Sequence, residues 1–145
     1  MSCPYFYPVE PRAGDNDTRS AMLPLGGLWT GMCHAVAGEV EQPDDAAVRP
    51  LCHLGYARGK CPRFPADDPG ADAVRFSISR DDGSAVYLYY VLERDHHPSR
   101  HGPLEYTRAL GRFVAPPPDA AVCRQAEAYL ASYLRNKERA RAAAV

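Results

Sequence analysis

The sequence predicts a small single domain of the α+β class, with an irregular Pro/Gly/Cys-rich N-terminal half, a central antiparallel β-hairpin or small sheet, and a C-terminal helix. Three observations predict it. The first seventy of the 145 residues hold 9 of the 14 prolines, 8 of the 11 glycines and four of the five cysteines. Residues 74–92 alternate around a turn, and residues 119–143 repeat apolar side chains at three-to-four spacing. With 46% hydrophobic and 24% charged residues, the composition suits one soluble globular unit, residues 1–145. A chain of this size buries roughly 68–70% of the surface its unfolded form exposes, enough for a core without obligatory staples.

Residues 1–70 form the loop-rich half. Proline fixes φ and removes a donor while glycine permits φ > 0, so dense use of both marks turns. Long structureless stretches are unusual in a compact domain and need some other restraint. Residues 71–118 hold the hairpin and its connections. Val74, Phe76 and Ile78 alternate with Arg75, Ser77 and Ser79, the run Arg80-Asp81-Asp82-Gly83-Ser84 supplies turn chemistry, and Val86–Leu92 forms the second strand. That strand is apolar or aromatic on both faces, which implies cover on each side. Residues 93–103 read as a polar loop, and Leu104–Leu110 as a short helix stopped by Gly111. Residues 119–143 form the helix. Pro116, Pro117 and Pro118 block structure before it, Asp119 caps it, and Val122, Ala126, Tyr129, Leu130, Tyr133 and Leu134 make its buried stripe. Its basic end, Arg135 to Arg141, suits the negative pole of the helix dipole.

The formal net charge of −1 argues against coating nucleic acid or an anionic membrane. No run of 18 apolar residues offers a membrane span. The N-terminus lacks a basic region followed by an apolar core, so a reducing cytoplasm is the expected setting. No nucleotide-binding glycine loop, zinc-protease helix or nucleophile elbow occurs, so the balance leans away from an enzyme.

The cysteines carry the sharpest signal. Cys3, Cys33, Cys52 and Cys61 each lie in a loop-like Gly/Pro context, whereas Cys123 falls beside Ala126 and Leu130 on the final helix and reads as a core thiol. Four thiolates complete a zinc site or an iron–sulfur cluster. Disulfides, or unrelated free thiols, are the competing explanations. The four are separated by 29, 18 and 8 residues, without the tight C-x₂₋₄-C pairs that structural zinc favours. One cysteine per loop suits the wider [4Fe–4S] cube, with zinc as the alternative. Cys3-Pro4 and Cys61-Pro62 resemble the Cys-Pro ending of ferredoxin-type cluster motifs, a likeness of two dipeptides that assigns no family. A shared centre requires the four sulfurs to converge, about 4 Å apart for zinc or around a cavity about 6–7 Å across for a cube. It also requires residues 1–8 to be anchored on the loops that carry Cys33 and Cys61.

Around Cys61, Arg58, Lys60 and Arg63 are placed to offset the charge of a cluster and to hydrogen-bond its sulfurs. Gly55 and Gly59 would let backbone amides approach. Tyr56, with Tyr5, Phe6, Tyr7, Trp29 and Phe64, reads as core that doubles as an apolar wall. His34 and His53 each follow a cysteine and so point away from any shared metal. Asp95, His96, His97 and His101 form a polar group that reads as exposed loop, with a second metal as the alternative. The reading is a cluster-binding protein for electron transfer, redox sensing or an accessory role, working with a protein redox partner or host complex. A zinc-bound protein- or nucleic-acid-interaction module is the alternative.

Overall fold

The computed structural model describes residues 1–12, 18–117 and 119–144. Two antiparallel sheets and one long helix make up the α+β domain. The first sheet is β1 (Phe6–Pro11), β2 (Trp29–Val36) and β3 (Glu39–Glu41), in that order. The second is a meander of β4 (Ala73–Asp81), β5 (Ala85–Arg94), β6 (His97–Thr107) and β7 (Arg112–Phe113). Between the sheets in sequence, the one-turn helix α1 (Asp45–Ala47) runs into a wide π-type turn, Val48–Cys52. Pro50 lacks the N–H that would continue an ordinary helix, and His53 N closes the wider turn on Val48 O at 2.9 Å. The long helix α2 (Ala120–Ala143) is capped by Asp119, whose carboxylate accepts from Val122 N at 3.1 Å. No helix among the described residues is long and apolar enough to cross a membrane.

The expected hairpin and C-terminal helix are present, and three other expectations are corrected. The N-terminal half is not irregular throughout, since β1–β3 occupy part of it. Edge strand β1 tolerates Pro8 and Pro11 because, among the described residues, it pairs only with β2, and the register shifts between Pro8 and Glu10. Gly31 is what lets Pro8 lie opposite, for a Cβ there would stand 2.3 Å from Tyr7 O. Residues 93–103 are not a loop: β5 runs to Arg94, and Asp95 and His96 form a two-residue turn with φ of 51° and 63° before β6. Both central residues are left-handed, as a type I′ hairpin turn demands. Leu104–Leu110 is not a helix either. Leu104 turns into the core on β6, and the chain turns only after Thr107, where Gly111 N bonds Thr107 O at 2.9 Å. Pro118 lies outside the described residues.

Helix α2 joins the halves. Ala128 packs with Cys3, Phe6, Leu25, Trp29, Val48, Ala57 and Phe64, while Ala126 and Leu130 pack with Val86, Leu88, Leu104 and Phe113. Val122 adds a third contact with Val74 and Leu92. Polar groups tie the same elements. Asp81, at the tip of β4, accepts from Arg108 Nη1 at 2.9 Å, Tyr133 Oη at 2.9 Å and Lys137 Nζ at 2.6 Å. Lys137 therefore serves a tertiary ion pair in addition to the helix pole.

Candidate metal centre

Cys3, Cys33, Cys52 and Cys61 line one cavity. Each arrives on a different piece of backbone. Cys33 sits on β2 opposite Phe6 of β1, and with Ala35 it points to the face that carries the cavity. Cys52 closes the π-type turn. Cys61 stands in a turn whose N–H bonds Ala57 O at 2.7 Å. Cys3 is held by its own N–H on Cys52 O at 2.9 Å, while Ser2 bridges to Val74 through two backbone bonds of 2.7 and 2.8 Å. Residues 1–8 are thus anchored on the chain that bears Cys52, on β2 and on β4.

The remaining wall is apolar: Phe6, Ala35, Leu51, Ala57 and Phe64. Among the described residues it contains no carboxylate or imidazole. The space between the side chains is about 20 Å³, about the room of one water. No group of three or more His, Cys, Asp or Glu among the described residues is set to hold a metal ion. All five cysteines are free thiols. Burial, then the charges of Cys33 and Cys61, push the Cys3 thiol up to about 12. Burial, then Cys3, Cys33, Cys61 and Asp44, do the same to Cys52. Cys3 and Cys52 therefore keep their protons until a positive group compensates them.

The flanking residues are placed unequally. Arg63 lies beside the Cys33 thiol, which raises the pKa of its guanidinium. Its Nη1 donates to the Glu41 carboxylate and its Nη2 to Glu39 O at 2.9 Å. Arg58 stands one layer back: it bonds Asp72 at 2.7 Å and covers the Phe64 ring at 4.8 Å from its centroid. Lys60 is exposed. Tyr56 faces the hairpin, donating to Glu93 at 2.6 Å and stacking on His96. Of the aromatics, Phe6 and Phe64 form the wall, Tyr5 meets Phe64 edge-on, and Trp29 is core. Gly55 faces Met1, Ser2 and Ala73 instead of the sulfurs, and Gly59 borders open space.

The histidines do not join the thiols. His34 stacks on Tyr7 at 3.8 Å. His53 is fully buried, with Nε2 within 3.1 Å of Trp29 N and 3.0 Å of Trp29 O, and burial lowers its pKa. His96 and His101 are spent on Tyr56 and Tyr89 respectively. Cys123 is not a core thiol: it is half-buried on the wall of an open groove with Leu110, Phe113 and Leu134, and its Sγ donates to Glu127 at 3.4 Å.

The sequence pattern missed Gln125. It is fully buried on α2, accepts from Ser2 Oγ, and donates to Cys3 O at 2.7 Å and Phe6 O at 2.8 Å. One amide thus fixes the turn that aims Cys3. Its signal was a lone glutamine one turn after Val122 on the apolar stripe. No family model, curated protein or solved structure matches the chain.

Proposed function

We propose that this protein binds a [4Fe–4S] cluster on Cys3, Cys33, Cys52 and Cys61, and acts in electron transfer, redox sensing or as a cluster-bearing accessory subunit in the cytoplasm. The observation that carries the reading is the meeting of four thiols, from four separate segments, in one apolar-walled cavity. A donor set of sulfur alone suits iron–sulfur chemistry. When bound, such a cluster supplies a one-electron couple. The chain's own part is to provide four ligands and a dry wall of Phe6, Leu51 and Phe64. With all four corners taken by protein, the site favours electron transfer or sensing over catalysis at an open iron, and its partner is a redox protein or a host complex.

The small volume, about 20 Å³, is the observation that favours a single zinc ion in an interaction module instead. A [4Fe–4S] cube is larger than this space, so taking one up requires the segments that carry the thiols to separate. Anaerobic purification followed by iron, sulfide and zinc analysis with visible absorption separates the readings. Roughly four irons and four sulfides per chain are expected. Stoichiometric zinc without sulfide selects the alternative, and a colourless, iron-free protein after reconstitution overturns the cluster.

A further inference from the structure

Three cations flank Cys61, and only one of them is built into the thiol site. Arg58 is occupied by Asp72 and by the carbonyls of Pro65 and Ala66. Lys60 is in solvent. Arg63 reaches across β3, the strand that pairs Glu41 with Cys33. Its two terminal nitrogens are both committed, one to the Glu41 carboxylate and one to Glu39 O. These bonds fix the plane of the guanidinium. Its Nε is buried and, among the described residues, has no hydrogen-bond partner of ordinary geometry. A buried donor without an acceptor is costly, and Cys33, directly opposite Glu41 in the β2–β3 pair, stands on the same face as the carboxylate that Arg63 holds.

We infer that Arg63 is a positioning residue of the thiol site, whose Nε–H hydrogen-bonds the Cys33 thiolate and raises the reduction potential of a bound cluster; the inference rests on the cluster reading above. The reason is charge. One-electron reduction adds a negative charge to a group that four thiolates already make negative, and no proton accompanies it. An N–H donor at a sulfur, carrying a fixed positive charge, stabilises the reduced form more than the oxidised one. Arginine suits this place because its fork bonds β3 with two nitrogens while a third faces the sulfur. Lysine offers one point charge and no such division.

The test is an anaerobic redox titration, with dithionite as reductant and mediator dyes, of reconstituted wild type, Arg63→Gln, Arg63→Lys and Lys60→Gln. Iron and sulfide content and thermal unfolding are measured on each. Arg63→Gln is expected to lower the reduction equilibrium constant about tenfold, a drop of about 59 mV for one electron. Arg63→Lys is expected to fall most of the way with it, and Lys60→Gln to stay near wild type because its charge is screened by solvent. A wild-type potential in Arg63→Lys, or an equal shift in Lys60→Gln, overturns the hydrogen bond in favour of general charge. Folded Arg63 variants that take up no iron overturn it too, since the residue would then serve assembly. Wild type that assembles no cluster defeats the underlying reading, a failure told apart by the iron and sulfide content before any potential is measured.

Discussion

Gln125 shows how much one polar side chain can decide. Its amide satisfies Cys3 O and Phe6 O, two acceptors in a turn that α2 otherwise seals from water. Replacing it by alanine leaves both without this donor and opens a cavity. We expect Gln125→Ala to destabilise the fold by about 3 kcal/mol, the sum of lost bonds and unsatisfied groups, measurable by urea unfolding. The cysteines divide in the same way. Serine at Cys3, Cys33, Cys52 or Cys61 is expected to abolish iron or zinc uptake, whereas Cys123→Ser leaves uptake at the wild-type level, because its thiol reaches only Glu127 and an open groove. Metal content per chain on the five single variants reads this out, and equal uptake in all five would dismantle the four-thiol grouping.

At the scale of elements, two junctions hold the sheets in place. The first is the close approach of β1 and β2 at Gly31. A methyl group there meets Tyr7 O at 2.3 Å and the Phe6 ring at 2.8 Å, so Gly31→Ala must push apart the strands that set Phe6 opposite Cys33. A loss of about 2–4 kcal/mol is expected, accompanied by weakened metal uptake. The second is Asp81, where β4, the β6–β7 turn and α2 meet. Arg108 first, then Lys137, hold this carboxyl far below the usual carboxylate range. Because its folded pKa is depressed, its contribution is complete above the unfolded value of about 3.9 and is lost as pH falls from there towards the folded value. Asp81→Asn is therefore expected to cost stability at pH 7 and to flatten the acid limb of the stability profile. Urea midpoints between pH 2 and pH 7, roughly the window in which a paired carboxylate titrates, check both.

These elements also show what was legible in the sequence. The β4–β5 pair and α2 were, since Val74, Phe76 and Ile78 alternate and Asp119 precedes a helical period. Strand β6 was not: His97 to His101 carry the polarity of a loop, and only their register with Val91 to Arg94 makes them a strand. Strand β1 was hidden by Pro8 and Pro11, which an edge position tolerates. The four cysteines could be singled out by their Gly/Pro-rich settings, although Cys33 stands on strand β2 and not in a loop, but their neighbours could not. Tyr56 and Arg58 lie close to Cys61 in the chain and turn elsewhere, while Gln125, 122 residues from Cys3, holds it directly.

For the molecule as a whole, the four thiols set a proton balance. Cys3 and Cys52 are each pushed up to about 12, so both are protonated at neutral pH and must lose protons to bind a metal. Zinc uptake is expected to strengthen as pH rises from 6 to 8, by roughly tenfold per unit for each proton released, with the released protons detectable in weakly buffered calorimetry. An affinity flat with pH would mean that the thiols are already ionised.

The grip of Gln125 on Cys3 has a consequence for biosynthesis. At roughly 5–20 residues per second a ribosome needs on the order of 6–24 s to pass from one to the other. Throughout that interval the first of the four cysteines has been made while the residue that fixes its turn does not yet exist. The thiol pocket therefore cannot assume its finished shape as the first half of the chain leaves the ribosome. It closes only after α2 has been made and has docked, which makes filling the site an event that follows the synthesis of α2.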